Sequence, residues 1–405
     1  MILPLVSGLV VDEKGARFSA LLFTFLALLG HCLFCLFLEV SFFLSLAGRV
    51  VYGIGQGGCS LVQGVIIGKW FKSNLSFAIG ISESIHFLAN WMGAALPASV
   101  VSENTRLDFI PFESLLLGLG FLFISLVAGI VYYVVFHDHD TFTFALGRIS
   151  RNNSDASSVY RTHSSSTVSW YGAVHVPAKG EPDPFIIEAC EEHRMTYMFN
   201  VQLRKLQSLP IAFWLVGILH LLFSNIHNLF GGFAADLIHD TTELSASESG
   251  LVASVDSLAP IFLAPTVGYF VDRHGGRLIF CFASSVASVV AFGMIVRGIE
   301  DDGMSTWYAV LAMFILSFSN SITPTLIKSA VPSLVEEADL GTAFGVYSMF
   351  ESFGGGIGHV LFGIVRDRSD SYDVDVSLLV FMALLSIVVC MGTFFVAPHL
   401  NSALE

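Results

Sequence analysis

The chain has 405 residues, of which 54% are hydrophobic and only 13% charged, and its net charge is −14. Soluble domains carry about 25% charged residues, and a water-soluble fold cannot hide this much apolar surface. With no basic stripe there is no electrostatic footprint for nucleic acid.

Taken in order, the apolar runs fall near 18–36, 43–68, 77–101, 115–136, 210–234, 249–271, 278–296, 307–328, 341–365 and 376–397. Each approaches the length of about 20 residues that spans a bilayer as a helix. None alternates apolar and polar as a transmembrane strand would. The opening run, MILPLVSGLVV, is too short to span and lacks the basic start and small-residue cleavage site of a signal peptide. It reads as the tail of a helix whose beginning is missing, which brings the expected helix count to about eleven.

The run at 18–36 holds Cys32 and Cys35, a CxxC with no ligand pair near it, read as core packing and not as a metal site. The run at 43–68 carries Arg49, a charge inside a span, and a GxGxxG match at Gly53, Gly55 and Gly58. No strand precedes those glycines, so helix packing is the reading and not a dinucleotide. The next run places Glu83, His86 and Asn90 at i, i+3 and i+7, on one helix face.

Between the runs, 137–209 is polar and serine-rich, with Pro177, Pro182 and Pro184. It predicts a largely flexible loop dividing an N-terminal bundle, 1–136, from a C-terminal bundle, 210–405. With this loop in the cytoplasm, 14 of the 19 Lys and Arg residues fall on the cytoplasmic side, Lys328 among them at a helix end.

In the second bundle the intramembrane polar residues are His220, Ser224, His227 and Asn228, then Asp256, then Asn320, Ser321 and Thr323 before Pro324, then Ser348, Glu351, Ser352 and His359. Ionisable groups at membrane depth point to a solute or proton path. Asn320 fits a helix–helix hydrogen bond equally well. The candidate substrate or coupling set is Glu83, His86, Asn90, His227, Asp256, Asn320, Glu351 and Ser352. Glu351 suits an amine, and Glu83, His86 and Asp256 are groups able to carry a proton. No nucleophile–base pair or metal cluster is legible in a loop, so an enzyme is poorly supported and no cofactor is called for.

One pattern occurs twice, 260 residues apart: Gly8-x3-Asp12-x2-Gly15-x-Arg17 and Gly268-x3-Asp272-Arg273-x-Gly275-x-Arg277. Each copy sits at the cytoplasmic end of one helix and leads into the next, which implies a duplicated bundle. Glycine lets helices approach closely, and Asp and Arg can bridge helix ends. These residues, with Arg49, are the candidate conformational latch, and a static topology anchor is the alternative. Aligning Gly80 with Gly345 places His86 and Glu351 at matched depths in the two halves.

The doubled pattern resembles the signature loop of the major facilitator superfamily, after its second and eighth helices. On that resemblance the fold is all-α and polytopic, two pseudo-symmetric six-helix bundles, with the family's first helix absent from this chain. The segments GRVVYGIGQGGCSLVQGVIIGKWF, SLAPIFLAPTVGYFVDRHGG and VPSLVEEADLGTAFGVYSMFESFGGGIG are similar to those of the lysosomal dipeptide carrier branch. The resemblance implies a secondary transporter of a small polar solute, dipeptides or amino acids, working by alternating access as a uniporter or with protons. It also implies a multi-pass protein of the lysosome or another endomembrane, monomeric as a transport unit, with an accessory membrane glycoprotein. Gly57 and the His86–Phe87 pair stand where that branch has an acidic and a basic residue. A non-transporting receptor that kept the fold is the second reading.

Overall fold

The computed structural model describes residues 3–100, 112–135, 206–207, 209–301, 303–369 and 372–401. All but the last few residues of the expected loop at 137–209 lie outside them. The described residues up to 133 and from 210 onward form one compact unit.

Among the described residues the architecture is all-helical. The N-terminal half supplies α1 (Leu3–Lys14), α2 (Ala16–Phe37), α3 (Phe42–Trp70), α4 (Leu75–Val100) and α5 (Phe112–Val135). The C-terminal half supplies α6 (Ile211–Gly231), the short α7 (Ala234–Thr241), α8 (Ala246–His274), α9 (Arg277–Glu300), α10 (Thr306–Leu334), α11 (Leu340–Arg368) and α12 (Asp373–Val396). Eight of these helices contain a stretch long and apolar enough to cross a membrane. The 26-residue α4 and the 29-residue α11 have the length but not the hydropathy, because they carry Glu83, His86 and Asn90, and Glu351 and His359. Helices that line a polar cavity pay for it in hydropathy.

The outer faces are studded with large apolar side chains, among them Phe42, Phe43, Phe262, Trp307 and Phe395, each more than 70% exposed. In water such a surface would aggregate, whereas lipid accepts it. Inside the C-terminal half, Phe230, Phe292, Met313, Leu316, Leu237 and Ile238 join α6, α7, α9 and α10 in one core. The short α7 carries Asp236 and Asp240 between α6 and α8. Leu237 and Ile238 tie it down, and the Met304 amide donates to the Thr241 carbonyl at 2.7 Å.

Two helices run past their apolar runs for identifiable reasons. At its start α8 gains a turn from a capping box, Ser245 with Glu248. At its end α10 continues beyond Lys328 to Leu334. Lys328 is therefore inside a helix and not at a helix end, a correction whose cause is described below.

Proline interruptions are repaired by serines from neighbouring helices. Pro260 and Pro265 lie inside α8 and donate nothing to the carbonyls of Asp256 and Ile261, four residues earlier. Ser317 on α10 donates to the Asp256 carbonyl at 2.9 Å, and Ser84 on α4 donates to the Ile261 carbonyl. The second bond crosses between the two halves.

The halves meet chiefly along two helix pairs, α1 with α11 and α4 with α8, with α3 and α4 also reaching α11 and α10. A Cβ on Gly8 would strike the Gly341 carbonyl, and one on Gly268 would strike the Ser76 carbonyl. A Cβ on Gly345 would meet Pro4 and Leu5, and one on Gly80 would meet Ala264 and Pro265. Pro4 and Ala264 are 260 residues apart, as Gly8 and Gly268 are, while Ser76 and Gly341 are 265 apart, as Gly80 and Gly345 are. The two interfaces are thus copies of one another, residue for residue. Gly15 and Gly275 complete the parallel: both turn the chain at φ +86° and +74°, a region a side chain resists.

Candidate substrate and gating site

The two copies of the repeat place their aspartates on helix N-termini of the opposite half. Asp12 accepts from the Gly341 and Thr342 amides at 2.8 and 2.9 Å and from the Thr342 hydroxyl at 2.6 Å. Asp272 accepts from the Ser76 and Phe77 amides at 3.0 and 2.8 Å. Asp339, the residue at the N-cap position of α11, makes no side-chain capping bond of its own. The orphan amides at the helix start and the positive end of the helix dipole are instead met by a carboxylate from the other half.

Arg277 supports the second copy, donating to Ser76 Oγ at 3.2 Å with Asp272 3.8 Å away, and is itself buried. Arg17 is buried at the equivalent place. Arg273 instead reaches the Tyr269 hydroxyl on the exposed side. At the same end of the bundle Lys72 pairs with Glu337 at 3.0 Å. Arg49 lies elsewhere: it is near the start of α3, the end of that helix away from Lys69, and stacks 4.0 Å over the Phe34 ring.

Deeper in the fold, an ion pair joins the halves. Lys328 Nζ on α10 donates to Glu83 Oε1 on α4 at 2.9 Å, with both side chains about one-tenth exposed. This pairing explains why α10 tolerates a lysine well inside its length: the charge is neutralised by a residue 245 positions away. Glu351 on α11 is near enough to act on the Lys328 charge as well.

The Glu351 side chain is 48% exposed and approaches His220 Nε2 on α6 at 3.6 Å. The His220 ring stacks on Tyr347 at 3.7 Å between centroids. Its Nε2 is buried and makes no hydrogen bond. Two carboxylates, one ammonium and an imidazole thus converge from α4, α6, α10 and α11.

A second polar group lies inside the C-terminal half. Asn320 donates to Asp256 Oδ2 at 2.9 Å, and His227 Nδ1 stands 4.0 Å from Asp256 Oδ1. His227 Nε2 faces Ser319 Oγ at 3.4 Å, Ser319 bonds to both Ser288 and Ser284, and Ser284 bonds to Thr323. His227 Nδ1 and Asp256 Oδ1 have no hydrogen-bond partner. Three residues singled out in the sequence, His227, Asp256 and Asn320, are therefore one cluster.

Of the others, His86 and Asn90 bond to each other at 3.1 Å on an exposed face of α4. Ser352 lines a separate space of about 210 Å³ with Ser7 of α1 and Gly53, Gly57 and Gly58 of α3. Sequence reasoning missed Lys328, Tyr347 and the serine chain. Lys328 was visible as a charge but was assigned to a helix end, and only its distant partner corrects that.

Comparison with known proteins bears on the fold. Residues 212–404 match the family model described as Major Facilitator Superfamily. The lysosomal dipeptide transporter MFSD1 of Homo sapiens is 21% identical over 393 residues, covering 96% of this chain and 74% of that protein. The Bos taurus counterpart is 21% identical over 402 residues with the same coverage. Among solved structures, the proton:xylose symporter XylE aligns with a TM-score of 0.71 at 10% identity, over 100% of this chain and 85% of that one. The transporter FucP in the outward conformation aligns at 0.65 and 12% identity, over 97% and 86%.

Proposed function

We propose that this chain, a multi-pass membrane protein with the major facilitator fold, is a secondary transporter of small polar organic solutes of the dipeptide or amino-acid class. One observation carries the reading: unlike charges from both halves, Glu83, Lys328 and Glu351, are gathered inside the bundle where no packing need calls for them. Ionised groups are expensive at membrane depth and are kept where they serve a solute or ion path.

Transport would proceed by alternating access, the halves rocking about this region. With Asp12 on α11 and Asp272 on α4, the Lys72–Glu337 end would be held shut. Releasing both carboxylates would free α1 from α11 and α8 from α4 together. Glu351 would receive the solute's amine, with His220 beside it. The Asp256–His227 cluster is the place for a coupled proton. The similarity to lysosomal dipeptide transporters over 96% of this chain supports this solute class and an endomembrane location.

The test is reconstitution of the chain in liposomes with uptake of labelled dipeptides and amino acids, with and without a pH gradient. Saturable uptake supports the carrier, and dependence on the gradient separates proton coupling from uniport. A folded chain that binds dipeptide but moves none is a receptor.

A further inference from the structure

The Glu83–Lys328 pair is a charged contact that joins the halves below the surface. Lys328 sits six residues short of the end of α10, and Glu83 eight residues into α4. Both lie about two turns inside the sealed end. Opening that end moves α4 away from the C-terminal half, so this pair must part. Parting it in the empty protein would strand a buried ammonium, which is costly without a replacement partner.

The surroundings supply a reason for exchange. Lys328 holds Glu83, while the Glu351 carboxylate of the neighbouring α11 faces the His220 ring. Glu351 is half-exposed and has no hydrogen bond closer than its 3.6 Å approach to His220, whose buried Nε2 is itself without a partner. A ligand with one ammonium and one carboxylate satisfies this arrangement without changing its net charge. Its ammonium would meet Glu351, and its carboxylate would meet Lys328.

We propose that Lys328 is the carboxylate-recognition residue for zwitterionic solutes, and that Glu83 occupies it as an internal surrogate when the carrier is empty. This rests on the transporter reading above and deepens it. A solute carboxylate that displaces Glu83 keeps the ammonium paired while cutting the tie between α4 and α10. Binding of a solute with a free carboxylate therefore unlocks the sealed end, and binding of its amide does not. The exchange remakes the charge-assisted bond to the ammonium, and the loss of that bond to the displaced Glu83 carboxylate is offset by its hydration as the sealed end opens.

The experiment uses the full chain in liposomes, with alanyl-alanine and its C-terminal amide as probes. Wild type is expected to take up the acid and to be little inhibited by the amide. Lys328→Gln should weaken the apparent affinity for the acid at least about tenfold and remove the preference over the amide, while Lys328→Arg keeps it. The swapped pair Glu83→Lys with Lys328→Glu controls for folding: it restores the ion pair and the melting temperature, but not acid-selective uptake. Retained acid preference in Lys328→Gln, or full recovery of acid-selective uptake in the swap, overturns the proposal. Wild-type uptake of acid and amide alike sinks the role of Lys328 and leaves the transporter standing. No uptake and no ligand-induced thermal shift in folded wild type sinks both.

Discussion

Replacing Asp12 by Ala should loosen the sealed end by an amount the structure allows one to bracket. The carboxylate accepts three hydrogen bonds, two from the first amides of α11 and one from the Thr342 hydroxyl. A side-chain cap at a helix start is worth about 0.5–2 kcal/mol, and a carboxylate on a helix dipole up to ~2 kcal/mol when partly buried. These describe the same contact and are not summed, so ~2 kcal/mol is a fair figure for what the closed state loses. At 1.4 kcal/mol per decade that moves the closed-to-open ratio about 30-fold. Spin labels at positions 72 and 337 report the opening, since both side chains are exposed at that end and the surface pair they replace contributes little. In a background without native cysteines, Asp12→Ala should shift the distance distribution from one short population toward a mixture with a longer one. Asp272→Ala should do the same, because it caps α4 in the equivalent way. Distributions indistinguishable from wild type in both variants, with the protein folded, would refute the latch.

Glu351→Gln should raise KM for a dipeptide about tenfold, the loss of one charge-assisted contact, at unchanged melting temperature; unaltered uptake would remove Glu351 from the site. Ser317→Ala leaves the Asp256 carbonyl facing Pro260 without a donor, which costs about 1–3 kcal/mol, so a thermal melt should show a clear drop. Gly268→Val drives a side chain into the Ser76 carbonyl and should abolish closure of the sealed end, measured by alkylation of a cysteine at position 329, where Ser329 is buried against Ser76. Gly392→Ala, whose Cβ meets nothing within 4 Å, should leave both closure and uptake as they are.

What the sequence disclosed and what it withheld separate along one physical line. Periodic and local signals were legible: the apolar runs mark the helices, and the doubled Gly-x3-Asp-x2-Gly-x-Arg frame locates two interfaces that prove equivalent in their contacts. The offset inferred from Gly80 and Gly345 is the one the interface contacts obey, so matched positions in α4 and α11 were available before any coordinates. Pairing across the chain was not legible. Hydropathy ends a span at the first unmatched charge, so it cut α10 at Lys328, whose partner Glu83 lies in the other half. It gave no sign that the donors lost at Pro260 and Pro265 are replaced by Ser317 and Ser84. Nor did it show that Arg49 is remote from the repeat whose charges it was grouped with. In each case a costly group inside the membrane is made tolerable by a residue far away in sequence. The strength of that demand in a bilayer is what makes such residues informative once the fold is known: a polar side chain there has a partner, a path or a ligand. Glu83 and Lys328 have each other in the state described. A carrier that must open at the Lys72–Glu337 end has to part them, so the question for function is what takes Lys328 when Glu83 leaves.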